Sequence, residues 1–151
     1  MKILWMYLPA FFLMGGMCLA ENATPVAPGP LAACPKSPNC VSSQASDSEH
    51  AIASLVYTGS RADAYARLKK VLTGMKRMRI VEEKEDYLHA EAKSMIFRFV
   101  DDVEFFLPAG ERVIHVRSAS RTGHSDLGVN RKRVEEIRKR FNASQPLMSA
   151  P

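Results

Sequence analysis

The sequence has no glycine-rich phosphate loop, no cysteines at CxxC spacing and no serine in a nucleophile-elbow pattern. Those absences remove the motif-level case for a nucleotide-binding enzyme, a zinc ribbon or an α/β-hydrolase. The four histidines, His50, His89, His115 and His124, are scattered, so no metal-ligand spacing is visible and neither a metal nor another cofactor is expected. Charge of one sign is not concentrated in a long block: 21 Lys and Arg stand against 16 Asp and Glu, a net charge of +5. That mild excess does not mark a nucleic-acid binder. Cysteine is scarce as well, with three in the chain.

The N-terminus is organised differently from the rest. Lys2 is followed by an uncharged run from Ile3 to Ala20, and then by Glu21 and a proline-rich stretch. A positive start, an apolar centre and a small-residue end at Cys18-Leu19-Ala20 describe a secretory signal peptide over residues 1–20, cleaved after Ala20. Acylation at Cys18 is an alternative, although Met17 stands where a small residue is wanted. An uncleaved membrane anchor is another, because the run is near the minimum length of a span. The chain is therefore expected to be exported, to the periplasm, either free or tethered through its N-terminus. Cys18 leaves with a cleaved leader, and Cys34 and Cys40 are then expected to form a disulfide in an oxidising compartment. Closing so short a loop stabilises the fold by about 2 kcal/mol.

Residues 21–33 read as a Pro/Ala-rich linker, 34–142 as one domain and 143–151 as a disordered tail. Within the domain, Ile52 to Tyr57 suits a short strand. Ser60 and Asp63 resemble a capping box, and Ala64, Leu68, Val71 and Leu72 follow at helical spacing until Gly74. From Met78 the period becomes two: Met78 and Ile80, then Leu88, Ala90 and Ala92, then Met95, Phe97 and Phe99 leading into Asp101. "PAGE" at 108–111 predicts a hairpin loop and Val113 to Ser118 a returning strand. A last helix beginning at Ser125 or Asp126 carries Leu127, Val134, Ile137 and Phe141 as its apolar stripe. The order β-α-β-β-β-β-α predicts an α+β domain, an antiparallel sheet of four to five strands with two helices on one face.

The joint between the last strand and the last helix is crowded with polar residues. Simple register across the hairpin pairs Asp102 with Arg117 and Glu104 with His115, and turns Asp101 to the apolar face, where a carboxylate needs a partner. Arg117, Ser118, Ser120, Arg121, Ser125 and Asn130 surround a helix N-terminus, which favours an anion. That anion is either a bound ligand or Asp101 itself, with Asp126 already capping the amides. From Arg112 to Phe141 there are nine Lys and Arg against three Asp and Glu; a solvated helix face is the first reading of that excess, and as targets anionic lipid headgroups or cell-wall polymers fit better than nucleic acid.

Three segments, "CPKSPNCVSSQA" at 34–45, "YLHAEAKSMIFRFVDDVEF" at 87–105 and "VRSASRTGHSDLGVNRKRVEEIR" at 116–138, resemble the family known as domain of unknown function 1499. The resemblance spans nearly all of the mature domain. It implies a small exported, lumenal or membrane-associated domain with no assigned activity, cofactor or substrate. It also places the family's polar motif residues on Asp101, Asp102, Arg117, Ser118, Ser120, Arg121, Ser125, Asp126, Asn130 and Arg131. The resulting expectation is a non-enzymatic envelope protein, binding a small anionic ligand, an anionic lipid or an envelope protein through Asp101, Asp102, Arg117, Ser118, Ser120, Arg121, Asn130 and Arg131. The alternatives are a structural or assembly factor whose polar cluster only braces the fold, and a hydrolase using Asp101 or Asp102.

Free-thiol labelling of the exported protein should find Cys34 and Cys40 blocked until reductant is added. Labelling without reductant would reopen a metal or reactive-thiol role for the pair.

Overall fold

The computed structural model describes residues 31–94 and 98–145. The expected leader, most of the linker, Met95 and Phe97 of the expected strand, and most of the tail lie outside the described residues.

Helix α1 (Arg61–Thr73) starts where its cap predicts, with the Ser60 hydroxyl accepting the Asp63 amide at 3.1 Å and Gly74 closing the other end. Helix α2 spans Val129–Ala143. The strands are β1 (Cys40–Ser42), β2 (Leu55–Val56), β3 (Met78–Glu83), β4 (Tyr87–Lys93), β5 (Val100–Phe106) and β6 (Val113–Ser120). They form an antiparallel sheet in the order β1-β6-β5-β4-β3, and β2 pairs with the start of β6. The fold class is the α+β arrangement expected, enlarged by β1, whose three residues begin with the disulfide-bonded Cys40 and carry no periodic signal.

Alternation decides which face meets the helices. Leu88, Ala90, Val103, Phe105, Ile114 and Val116 point to the core, where Leu68 and Leu72 of α1 and Val134, Ile137 and Phe141 of α2 cover them. Phe105 and Phe141 are among the largest fully buried side chains and anchor the sheet to α2. The opposite face, with His89, Glu91, Asp102, Glu104 and Arg117, is polar and part exposed.

Several local expectations need correction. Across β5 and β6 the observed partners are Glu104 with Arg117 and Phe106 with His115, and Asp102 faces Ala119. This is two residues away from simple hairpin register. The ladder between the two strands closes at Phe106 and His115, short of the 108–111 loop, while Val113 and Ile114 pair with β2 on the other edge of β6. Because the shift is even, the faces stay as expected while the partners change. β5 begins at Val100, after an exposed Phe99. Helix α2 begins at Val129, not at Ser125 or Asp126, because Leu127 and Gly128 both adopt left-handed backbone, with φ of 53° and 76°. Leu127 is consequently 86% exposed and does not belong to the apolar stripe.

The Cys34–Cys40 disulfide is present, with the α-carbons 5.7 Å apart. A buried histidine clips its loop to the following segment. His50 Nδ1 lies 2.7 Å from Asp47 Oδ1, and its Nε2 lies 3.2 Å from the Ser37 carbonyl inside the loop. Two acceptors suit the imidazolium, so the Ser37 carbonyl, and after it the Asp47 carboxylate, raise the His50 pKa above its ordinary 6.5. The His50 amide, with its ring, lowers that of Asp47.

A histidine whose folded pKa is raised adds stability that is complete below the unfolded value and is lost as pH climbs through the folded one. The melting temperature should therefore fall as pH rises from about 6 to about 8, and His50→Gln should flatten that slope. An equal slope in the variant would remove His50 from the account.

Candidate functional site

The polar joint divides into two networks on opposite faces of the sheet. Strand alternation sends Asp101 and Ser118 inward, and helical spacing sends Asn130, Arg133, Val134 and Ile137 of α2 toward them. Arg133 meets Asp101 there, Nη2 to Oδ2 at 2.5 Å, with side chains only 10% and 5% exposed. The other nitrogen, Nη1, donates to Asn130 Oδ1 at 2.6 Å and to Ser118 Oγ at 3.1 Å. Asn130 is the hub. Its Oδ1 also accepts from Ser118 Oγ at 2.6 Å, and its Nδ2 reaches the Asn39 carbonyl, Ser120 Oγ and Asp126 Oδ2 at 3.0, 3.0 and 2.7 Å. Two amide hydrogens serve three acceptors, so the amide is saturated and its orientation fixed.

The helix start is also occupied. Asp126 Oδ1 accepts the Gly128 amide and Oδ2 the Asn130 amide, both at 2.8 Å, while the Asp126 carbonyl accepts the Val129 amide at 3.1 Å. The carboxylate thus sits where an external anion would have to bind, and it complements the helix dipole. Ser125 contributes a long bond to the Leu127 amide, 3.4 Å.

On the open face, Asp102 accepts Arg121 Nε at 2.9 Å and Nη2 at 2.7 Å, and lies 2.7 Å from His89 Nε2. Arg121 also reaches Glu91, which Arg79 holds from the other side. Hydrogen bonds from Arg121 foremost, then from His89, lower the Asp102 pKa, and Arg121 followed by Arg79 lowers that of Glu91. Arg117 pairs with Glu104 at 2.7 Å, and Tyr87 donates to Glu104 at 2.8 Å. Burial, with the Glu104 contact second, pushes the Tyr87 hydroxyl well above its usual range.

The residues singled out from the sequence therefore separate. Asp101, Ser118, Ser120 and Asn130 share the buried network, while Asp102 and Arg121 belong to the open-face network. Arg117 joins Glu104 rather than Asp102. Arg131 stands apart, donating to the Ala51 and Glu49 carbonyls at 2.8 Å and tying α2 to the segment after β1. Sequence reasoning missed Arg133. The available signal was its spacing, three residues after Asn130 and four before Ile137, which puts it beside the buried stripe.

Chemically, the arrangement holds charges in place. The hydroxyls of Ser118 and Ser120 are engaged with Asn130, and Asp101 is engaged with Arg133, so neither serine is placed against a histidine general base. Among the described residues no group of three His, Cys, Asp or Glu side chains is placed to hold a metal ion. A cavity of about 590 Å³ lies elsewhere, along residues 31–34, 42–47 and His115. In it the Ser43 hydroxyl accepts the Val116 amide and lies 3.2 Å from His115 Nδ1, but His115 Nε2 has no partner among the described residues, so no acid orients the ring.

A family model described as protein of unknown function (DUF1499) matches residues 30–141, and the chain belongs to that family. No curated protein matches the chain at a significant level.

Removing Arg133 would leave Asp101 as an uncompensated buried carboxylate. Arg133→Met should lower the stability measured by urea denaturation by about 3–5 kcal/mol, and adding Asp101→Leu should recover most of that loss. A single-variant effect within the range of a surface pair, about 0–1 kcal/mol, would contradict the pairing.

Proposed function

We propose that this chain is a non-enzymatic accessory domain of the cell envelope, exported by its N-terminal leader, in which the strand-to-helix joint is a brace and not a ligand site. The observation that carries the reading is Asn130. Every hydrogen-bonding position of its side chain is used by the protein itself, and the same amide links α2, β6 and the residue before β1. A bound anion would have to displace Asp126 from the amides of Gly128 and Asn130, exchanging one negative group for another with no gain in charge complementarity. The carboxylates Asp101 and Asp102 are engaged by arginines, which suits anchoring and disfavours proton transfer.

Isothermal calorimetry with inorganic phosphate, inorganic sulfate and cell-wall fragments tests this directly. No saturable heat is expected, and Arg121→Ala should change thermal stability alone. Binding of any of these that disappears in Arg121→Ala while the melting temperature is unchanged would overturn the brace and restore an anion site.

A further inference from the structure

One end of the sheet collects residues that neither the core nor the brace uses. β3 begins beside the end of β4, β4 ends beside the start of β5, and β6 ends opposite Asp101, so the turn at 75–77, the residues Ser94, Arg98 and Phe99, and the connection at 121–128 lie at the same end of the sheet. Backbone bonds join them, from the Lys93 amide to the Arg77 carbonyl at 3.0 Å and from the Arg121 amide to the Val100 carbonyl at 3.3 Å.

The chemistry of this end is lopsided. Lys76, Arg77, Lys93 and Arg98 are exposed there, with Lys132 in the first turn of α2, and none of the five has an ion pair among the described residues. Of the carboxylates nearby, Glu91 and Asp102 are paired with Arg121, whereas Asp126 keeps its charge and spends it on the amides of Gly128 and Asn130 at the start of α2. At the opposite end Glu83, Glu85, Asp86 and Glu111 are interleaved with Lys84 and Arg112, and Lys69 and Arg61 pair with Glu83 and Glu85, so charges of both signs are mixed there. Amid the cations stand apolar side chains, Leu127 at 86% exposure, Phe99 at 54% and Val129 at 44%.

Backbone conformation singles out the same place. Arg77, Arg98 and Leu127 are the non-glycine residues of the described chain with φ in the left-handed region, at 61°, 56° and 53°, and all three lie at this end. A side chain with a β-carbon is uncommon in that conformation, and such strain collects where a surface has a task. Here it turns two cations and one leucine outward. In Leu127 the Asp126 carboxylate holds the turn, bonding the amides on its far side.

We propose that this end of the sheet docks on an anionic lipid bilayer, with Leu127 and Val129 entering the headgroup layer and Lys93, Arg98 and Lys132 meeting lipid phosphates. A fluid interface accepts a protruding leucine without a preformed pocket, and the surrounding unpaired cations complement the surface charge of anionic lipid. An acidic protein would use the cations but would need a matching hollow for Leu127. The inference goes beyond the brace and does not depend on it.

Flotation of the full-length chain with phosphatidylcholine vesicles, and with vesicles also containing phosphatidylglycerol, tests the proposal. The N-terminal apolar run is common to all variants, so differences between them report the folded domain. Anionic lipid should increase the bound fraction, and added salt should reverse the increase. Lys93→Glu, Arg98→Glu and Lys132→Glu together should lower the affinity for anionic vesicles roughly a hundredfold or more. Leu127→Ser should weaken vesicle binding while leaving the melting temperature unchanged. Equal binding of the wild type and the charge-reversed variant would overturn the proposal. So would an unchanged affinity in Leu127→Ser accompanied by tight binding to soluble polyglutamate, which would assign the surface to an acidic polymer.

Discussion

The buried contact between Arg133 and Asp101 is the constraint on which the rest of the joint depends. A carboxylate facing an apolar core needs a partner to stay ionised, and among the described residues Arg133 of α2 supplies it. Once Arg133 reaches Asp101, its second nitrogen falls on Asn130 and Ser118, and the position of the helix over the sheet is set. Asn130 then reaches back to Asn39 and Ser120, so the residue before β1, the end of β6 and α2 meet on one side chain. Hydrophobic burial of Val134, Ile137 and Phe141 provides the driving force for docking α2. The polar network provides its register, because apolar contacts alone would tolerate sliding.

The two faces of the sheet use charge differently. Inside, one ion pair is bound into hydrogen bonds on all sides, where breaking it is expensive. Outside, carboxylates and arginines alternate across β3, β4 and β5 and reach Arg121, where each pair is partly solvated and adds little by itself. Their joint effect is to neutralise the acidic residues nearest the basic end of the sheet. Among the described residues Lys76, Arg77, Lys93, Arg98 and Lys132 of that end form no ion pair, which is the basis of the bilayer proposal.

Much of the architecture was legible because local signals agreed with the global fold. Ser60, Asp63 and Gly74 bounded α1, and alternation through Leu88, Ala90 and Ala92 fixed which face of β4 is buried. Parity also placed Asp101 and Asp102 on opposite faces, which survives the register shift. The register itself was hidden, since the ladder closes at Phe106 and His115 and not at the 108–111 turn, which turn residues alone do not reveal. Leu127 sits at helical spacing with the apolar stripe, yet its left-handed backbone and that of Gly128 start the helix later and leave Leu127 outside. Arg133 escaped notice because an arginine in a basic run reads as solvated; only its position between Asn130 and Ile137 marked it as inward. The saturation of Asn130 depends on distances that no sequence pattern displays.

The central claim, that the polar joint braces three separate segments through Asn130, is tested most directly by native-state hydrogen exchange on Asn130→Ala. The account predicts that amide protection falls together in α2, in the second half of β6 and in residues 40–42, because all three lose a shared anchor. Loss of protection confined to the first turn of α2, with residues 40–42 and β6 unchanged, would contradict it.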